Sequence, residues 1–461
     1  QLLAKAEQYL NVGYQKLLTF QHRTGGFNWW GNDETPLIWL TAYGLQEFHD
    51  MSRVYPVDAE VIRRAQDWLM SQRDKEGTWS KIGATHGVSI ERMGDPKLLL
   101  TSYVTWSLLD SGVPAAQLDS SIAYIREHVK GADNNYILAL AANALAAYDP
   151  KDDSTHEVLS RVLKKLNQAK QDKPEWKAVC FPAGGQSLAY ARGDSLTVET
   201  TALAVLAMVK SGQFTASVNK ALTYLIKSKD AGGTWGSTQA TILALKALVA
   251  AAEGPKLKGK VPLRLLVNGK EVAHSEVTEE NADVMQLFDL SVHLHQGDNE
   301  VALAVDGKTP LLYQVVGRHY RPFTPEDEPD KPILEVAVAY DRTRLSTREE
   351  IKARATLKYH GSEPTYMVIV DLGIPPGFVV DPGEFAEMVG AKKVKRFSVT
   401  SRQVTLYLGD VVPGVEQTFT YTLKPKYPVK AKAPAAVAYE YYTPDHRAQS
   451  RPVELLVEDK K

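Results

Sequence analysis

The 461 residues predict a chain of more than one domain, an all-α toroid followed by all-β segments. Three observations carry this. Apolar residues recur at a helical period up to about Gly254 and at a period of two beyond it. The helical half is punctuated by turns built on one plan. "FQHRTGGFNWWG" (20–31), "SQRDKEGTWS" (71–80) and "KSKDAGGTWGS" (227–237) each end a helix in polar residues, pass through glycines and set one or two aromatics before the next helix. Repeated helix pairs with such turns predict inner and outer helices alternating around a barrel. Finally, an acidic, proline-rich linker, "RPFTPEDEPDKP" (321–332), separates a small β unit (255–320) from a larger one (333–461). The larger unit offers about seven short strands, enough for a sandwich.

The helices follow in order. The chain opens inside an amphipathic pattern, "QLLAKAEQYLNVGYQKLL", without an initiator Met, and is read as a piece of a longer polypeptide. A second helix is expected near 36–49. "VDAEVIRRAQDWLMSQ" places Val61, Ala65, Trp68 and Leu69 on one face. Further helices are expected near 97–111, 116–130, 133–148, 155–170, 196–211 and 216–229. In "STQATILALKALVAA", Ile242, Leu245 and Val249 share a face. That makes ten helices. "PKDDS" (150–154) reads as a capping turn. In the β half, "IKARATLKY" alternates strictly, Asn268-Gly269 in "LLVNGKEV" marks a hairpin, and Asp306-Gly307 offers a second turn. Trp79 and Trp235 are expected to pack between hairpins or plug the barrel end.

Lys and Arg total 54 and Asp and Glu 55, a net charge of −1, so nothing favours a nucleic-acid partner. No apolar run is long enough to span a bilayer, and no membrane insertion is expected. The single cysteine, Cys180, leaves no disulfide within the chain and no thiolate metal site. Its flanks in "KAVCFPAGG" are apolar, which predicts an inert thiol. Walker, G-x-S-x-G and H-E-x-x-H signatures are missing. Toroid enzymes of the terpene-cyclase and prenyltransferase kinds need aspartate-rich or zinc motifs. "PKDDS" does not supply the first, and Ala178, two residues before Cys180, does not supply the second. No metal, no cofactor and no enzymatic turnover are expected. His86, in the glycine-containing stretch "KIGATHGVSIERMGD", is the one loop histidine worth following.

"YLNVGYQKLLTFQH", "WLTAYGL", "LLTSYVTWSLL", "VETTALAVLAMV" and "GGTWGSTQATILALKAL" occur in that order. They resemble the thioester domain of the alpha-2-macroglobulin and complement family. "MVIVDLGIPPGFVVDPGEF" and "AAVAYEYYTPD" resemble that family's receptor-binding domain, a macroglobulin-type β-sandwich. "LFDLSVHLHQGDNEVALAV" is similar to the second half of its CUB-like domain. The resemblance implies three domains: 1–254, the toroid without its thioester-bearing segment; 255–326, the CUB-like half; and 327–461, the sandwich.

The resemblance further implies a broad-spectrum protease trap. A thioester between a Cys and a Gln side chain is held from water until a conformational change exposes it to a nucleophile on the target protease. The family's Cys-x-Glu-Gln motif is expected upstream of this chain, with further macroglobulin domains of the same polypeptide. Trp29 and Trp30, with Tyr441 and Tyr442 of "YEYY", occupy the places of a lid over the thioester. His86 occupies the place of an acyl-transfer histidine. In "DPGEFAEMVGAKKVKRF" the basic residues Lys392, Lys393, Lys395 and Arg396 come late, and read as a solvated face rather than a clearance-receptor site. The low cysteine count points to a bacterial, extracytoplasmic protein, in the periplasm or at the surface. A thioester-less relative acting as a noncovalent scaffold is the alternative.

Overall fold

The computed structural model describes residues 2–29, 31, 35–80, 95–169, 178–230, 233–252, 259–282, 284, 286–306, 313, 315–317 and 332–459. Gln1–Leu248 with Phe323–Lys461 form one compact body, and Val249–Pro322 another.

Among the described residues, ten α-helices precede residue 253: α1 (Leu2–Leu18), α2 (Ile38–Ser52), α3 (Ala59–Ser71), α4 (Pro96–Asp110), α5 (Asp119–His128), α6 (Asn135–Tyr148), α7 (Asp153–Ala169), α8 (Gly193–Ser211), α9 (Thr215–Lys227) and α10 (Thr238–Ala252). The even helices form the inner ring. α2 packs on α4, α4 on α6 and α6 on α8, while α3, α5, α7 and α9 each lie against the preceding even helix. α4, α6 and α8 are buried along almost their whole length; α3 buries only the stripe Val61, Ala65 and Leu69. Alanines in α6 let its neighbours approach closely. Its buried Asn143 is satisfied by donating to Ala139 O and Leu203 O, both at 2.8 Å, which ties α6 to α8. Caps start the helices where the sequence places Asp or Asn. Asp58 accepts from Glu60 N, Asp95 from Leu98 N, Asn134 from Tyr136 N, and Asp152, in the predicted capping turn, from Ser154 N.

The Gly-aromatic turns are one structure used repeatedly. Asp74 Oδ1 accepts Thr78 N–H at 2.8 Å and Oδ2 accepts the Thr78 hydroxyl; Asp230 holds Thr234 in the same way. Trp79 and Trp235 are buried between hairpins, and their indole N–H groups donate to Leu69 O and Leu225 O. The N–H of each turn aromatic donates to a threonine hydroxyl on the helix that follows. Phe27 donates to Thr41, Trp79 to Thr101, Phe181 to Thr201 and Trp235 to Thr241. Phe181 lies beside Cys180, so the aromatic N–H contact recurs at "CFPAGG", where the glycines follow the aromatic. Cys180 itself is half-buried, and burial pushes its thiol up.

One helix face differs from expectation. On α10, Leu245 and Val249 are 47% and 58% exposed, and the packed face is Ala240, Leu243, Ala244 and Ala247. Apolar residues lie on more than one face of this helix, so its period marked two faces. The alanine face lies closer to its neighbours and was the one buried.

The smaller body holds an antiparallel sheet with β1 (Val261–Val267) between β2 (Lys270–Val277) and β3 (Val301–Val305). Val267 pairs with Lys270 across Asn268 and Gly269, both with positive φ (51° and 78°), the turn their sequence predicts. Gly307 of the second predicted turn lies outside the described residues.

The larger β unit is built on β4 (Leu334–Tyr340), β5 (Arg344–Ser346), β6 (Ile351–Tyr359), β7 (Thr365–Tyr366), β8 (Val368–Gly373), β9 (Phe378–Val380), β10 (Arg396–Val399), β11 (Gln403–Tyr407), β12 (Asp410–Val411), β13 (Gln417–Pro425), β14 (Val429–Ala433), β15 (Val437–Glu440), β16 (Thr443–Gln449) and β17 (Val453–Glu458). One sheet runs β4-β6-β13-β9 and another β10-β11-β8-β15-β16; smaller sheets are β14-β17-β5 and β12-β7. Ile351, Ala353, Ala355 and Leu357 of one sheet and Val368, Val370 and Leu372 of the other share the core. These fourteen strands are twice the expected number, because many are two to five residues long and too short to show alternation. α11 (Pro382–Gly390) is pinned by Phe385, which is buried, and by Glu384, which accepts from Thr422 N and Oγ1 at 2.7 Å. Lys392, Lys393, Lys395 and Arg396 beyond it are exposed.

Candidate functional site

The first Gly-aromatic turn is folded tightly against α3. Gly25 has φ 103°, and a Cβ there would meet Arg64 O at 2.3 Å. Gly31 N–H donates to Asn28 Oδ1 at 2.7 Å, closing the turn. Trp29 is thereby carried to the sandwich. Its ring centroid lies 5.3 Å from Trp39 on α2, 6.2 Å from Tyr190 and 6.3 Å from Tyr442.

On the sandwich side, Tyr441 and Tyr442 form the bend between β15 and β16, where the register shifts after Tyr439. Tyr441 N–H donates to Met367 O at 2.9 Å, and the two rings meet edge to face at 5.0 Å and 88°. Tyr442 packs 5.1 Å from Tyr190, and Tyr190 also meets Trp39 and Tyr366, each at 5.8 Å. The Tyr441 hydroxyl is 2.8 Å from Thr238 Oγ1 at the head of α10. Glu440, buried just before the bend, bonds His446 Nδ1 at 2.6 Å. Toroid and sandwich thus meet through a cluster of five rings, with Tyr441 as a sixth at its edge.

The chemistry of this cluster is apolar. Burial pushes Tyr190 up to about 12, and it pushes Tyr442 well above the ordinary tyrosine value, with neighbouring Tyr190 adding to the effect. These phenols stay neutral and act as water-excluding surface. Edge-to-face ring pairs contribute about 0.5–1.5 kcal/mol each beyond their buried area. Two non-glycine residues at the junction, Tyr190 (φ 65°) and Met367 (φ 62°), hold left-handed backbone, a strain the surrounding contacts must outweigh.

Below the cluster lies a buried carboxyl. Glu199 on α8 is 0% exposed, and its Oε1 accepts the Ser237 hydroxyl at 3.3 Å. Burial pushes it up to about 8 against the pull of the nearby Ser187 and Ser237 hydroxyls. Among the described residues no group of three or more His, Cys, Asp or Glu is placed to hold a metal. No described helix is long and apolar enough to cross a membrane.

Of the residues the sequence singled out, the structure brings Trp29 and Tyr442 together and sets Tyr441 against the toroid. Trp30 and His86 lie outside the described residues. Trp39, Tyr190, Tyr366 and Thr238 were not anticipated. Trp39 sits in an ordinary helical pattern, and Tyr190, in "SLAYARGD", has none of the glycine-aromatic spacing of the other turns. Thr238 belongs to "GSTQAT", a stretch that carried the resemblance without suggesting a contact.

The A-macroglobulin TED domain family model matches residues 2–250. The chain belongs to the alpha-2-macroglobulin and complement thioester-protein family. The family's receptor-binding domain model matches residues 363–451. Among curated relatives, ovostatin of Gallus gallus is 23% identical over 96% of this chain and 30% of its own length. Complement C3 of Oncorhynchus mykiss is 23% identical over 95% of this chain and 27% of its own. The chain therefore spans about a third or less of these relatives. Native alpha-2-macroglobulin of Escherichia coli, solved from domain MG7 to the C-terminus, superposes with a TM-score of 0.62 at 16% identity, covering 97% of this chain and 67% of that one. Salmonella alpha-2-macroglobulin reacted with methylamine gives 0.63 at 15% identity, covering 96% and 27%. These likenesses show the fold, a helical toroid followed by the family's β-sandwich.

Proposed function

We propose that this chain is the C-terminal part of a broad-spectrum protease trap, working with macroglobulin domains that precede it in the same polypeptide. In this reading residues 1–254 are the toroid of a thioester domain, 255–326 half of a CUB-like domain, and 327–461 the receptor-binding sandwich. The target proteases are captured by acylation through a thioester carried upstream, and the chain itself turns over no substrate. The protein works outside the cytoplasm, in a bacterial periplasm or at the cell surface, where a single cysteine leaves nothing to oxidise into an internal disulfide.

The observation that supports this best is the ring cluster joining Trp29 to Tyr442. A thioester is a stored electrophile and survives only where water is kept out. A junction of neutral, buried rings between two domains excludes water while they are docked and admits it when they part. Trp29, Trp30, Tyr441 and Tyr442 are the lid in this proposal, and His86 is the acyl-transfer nucleophile.

The test is thiol titration of the longer polypeptide before and after methylamine. One new thiol per chain, with a matching mass gain on a Gln-containing peptide, is the expected result. Without a new thiol the covalent trap is rejected, and the junction serves a noncovalent binding scaffold.

A further inference from the structure

The β15–β16 hairpin leaves its ladder at the junction. Val437 pairs with Gln449, Ala438 with Ala448 and Tyr439 with Arg447, but Glu440 pairs with Thr443. An unbroken ladder would set Glu440 opposite His446. The residues 444–446 are therefore extra on β16 and form a bulge. The segment that this bulge carries is the one that meets the toroid. The Tyr441 hydroxyl reaches Thr238, and Tyr442 packs on Trp29 and Tyr190. Pro444, inside the bulge, has its Cδ 3.9 Å from where a Cβ on Gly236 would stand.

A bulge gives up ladder hydrogen bonds, and Pro444 has no N–H with which to rejoin β15. The gap is closed by side chains instead. His446 Nδ1 lies 2.6 Å from Glu440 Oε2, so the two residues that an unbroken ladder would pair through the backbone are joined beyond it. An ionised carboxylate only accepts, which makes Nδ1–H the donor. The Glu440 side chain is 9% exposed and that of His446 38%, so the acceptor is anchored in the protein and the imidazole closes over it from the solvent side.

We propose that Glu440 and His446 are positioning residues whose bond clasps the bulge and so holds Tyr441, Tyr442 and Pro444 where the toroid receives them. One end of this segment is fixed by the Tyr441 N–H bond to Met367 O; the clasp fixes the other, beyond Pro444. The proposal rests on the reading of the junction as a thioester shield and deepens it, because rings exclude water only while they stay in place.

Hydrogen–deuterium exchange on the 461-residue chain tests this. His446→Leu, which offers no donor, should speed exchange at the Tyr441 amide and across 437–449 and 234–240 by about tenfold or more, leaving β6 and β13 unchanged. His446→Asn sets an amide N–H near the place of Nδ1 and should exchange like the unsubstituted chain. Glu440→Leu should act as His446→Leu does, and the two substitutions together should add nothing to either alone. The proposal is overturned if His446→Leu exchanges like the unsubstituted chain, or if asparagine is as disruptive as leucine. It is also overturned if the two leucine effects add, or if acceleration spreads into β6 and β13, which marks general destabilisation. Exchange reports the clasp without any protease or thioester. No new thiol with methylamine, beside fast exchange in His446→Leu, rejects the trap and spares the clasp; a new thiol beside unchanged exchange does the reverse.

Discussion

Glu199 and Asp74 are both carboxyls, and they make stability depend on pH in opposite senses. Glu199 moves from an ordinary 4.5 to about 8 because burial disfavours its charge. The folded chain then holds a proton that the unfolded chain releases, so this group's stabilisation is full below about pH 4.5 and is lost as pH rises toward 8. Glu47, pushed up to about 7 by burial, acts in the same direction. At Asp74, burial pushes the carboxyl up, but hydrogen bonds from Thr78 and Glu76 outweigh it and leave the group below its ordinary 3.8. Its contribution is present above that value and disappears as pH falls through it. Thermal melts should therefore show a fall in Tm between about pH 5 and pH 8 that Glu199→Gln partly removes. Equal slopes for the two chains would show that Glu199 does not carry its share. His86 makes a separate prediction at this scale, for the longer polypeptide. If its imidazole takes the acyl group first, His86→Asn should lower glycerol labelling relative to methylamine on the order of 10²-fold. An unchanged ratio would remove the assignment.

Among the elements, the repeated turn is where sequence and structure agree most closely. Its glycines and aromatics were visible as a pattern, and so were the helices they join, because a 3.6-residue period over a dozen residues outweighs local noise. The bonds that build the turn were not visible. The aspartate that opens it and the threonine that receives the aromatic N–H lie outside the spacing that marks a helix face. The Phe181 contact passed unnoticed because its glycines follow the aromatic instead of preceding it. The two aspartates should not be equivalent. Thr78 is 0% exposed, while Thr234 is exposed and can turn to water. Asp74→Ala strands buried donors and should cost about 2 kcal/mol, and Asp230→Ala should cost less than half of that. Urea unfolding of the two variants measures the difference, and equal costs would mean that burial of the turn threonine is not what matters.

At the scale of the whole molecule, the order of the domains was legible and their contact was only half so. Trp29 and Tyr442 are far apart in the chain, and period and composition say nothing about which distant aromatics meet; only the resemblance linked them. Trp39 and Tyr190, which complete the cluster, carry no local signature at all. The contact is nevertheless the feature on which the molecule's proposed switching depends, and its two tyrosines should contribute unequally. Tyr442 is 7% exposed and touches Trp29 and Tyr190, whereas Tyr441 adds one hydroxyl contact at the edge. Tyr441→Phe gives up about 1 kcal/mol of hydrogen bonding and should leave toroid and sandwich docked. Tyr442→Ala removes a buried ring, about 3–5 kcal/mol by the behaviour of large aromatic deletions, and should let the two part. The balance is apolar, so added salt should neither rescue nor worsen the opening. Small-angle scattering of the 461-residue chain reads this directly. The radius of gyration should rise for Tyr442→Ala and hold for Tyr441→Phe, at low salt and high salt alike. An unchanged radius in Tyr442→Ala would mean that the rings decorate a contact held by something else. A radius that grows only at high salt would place the strength of the junction in charge, and the water-excluding shield would lose its physical basis.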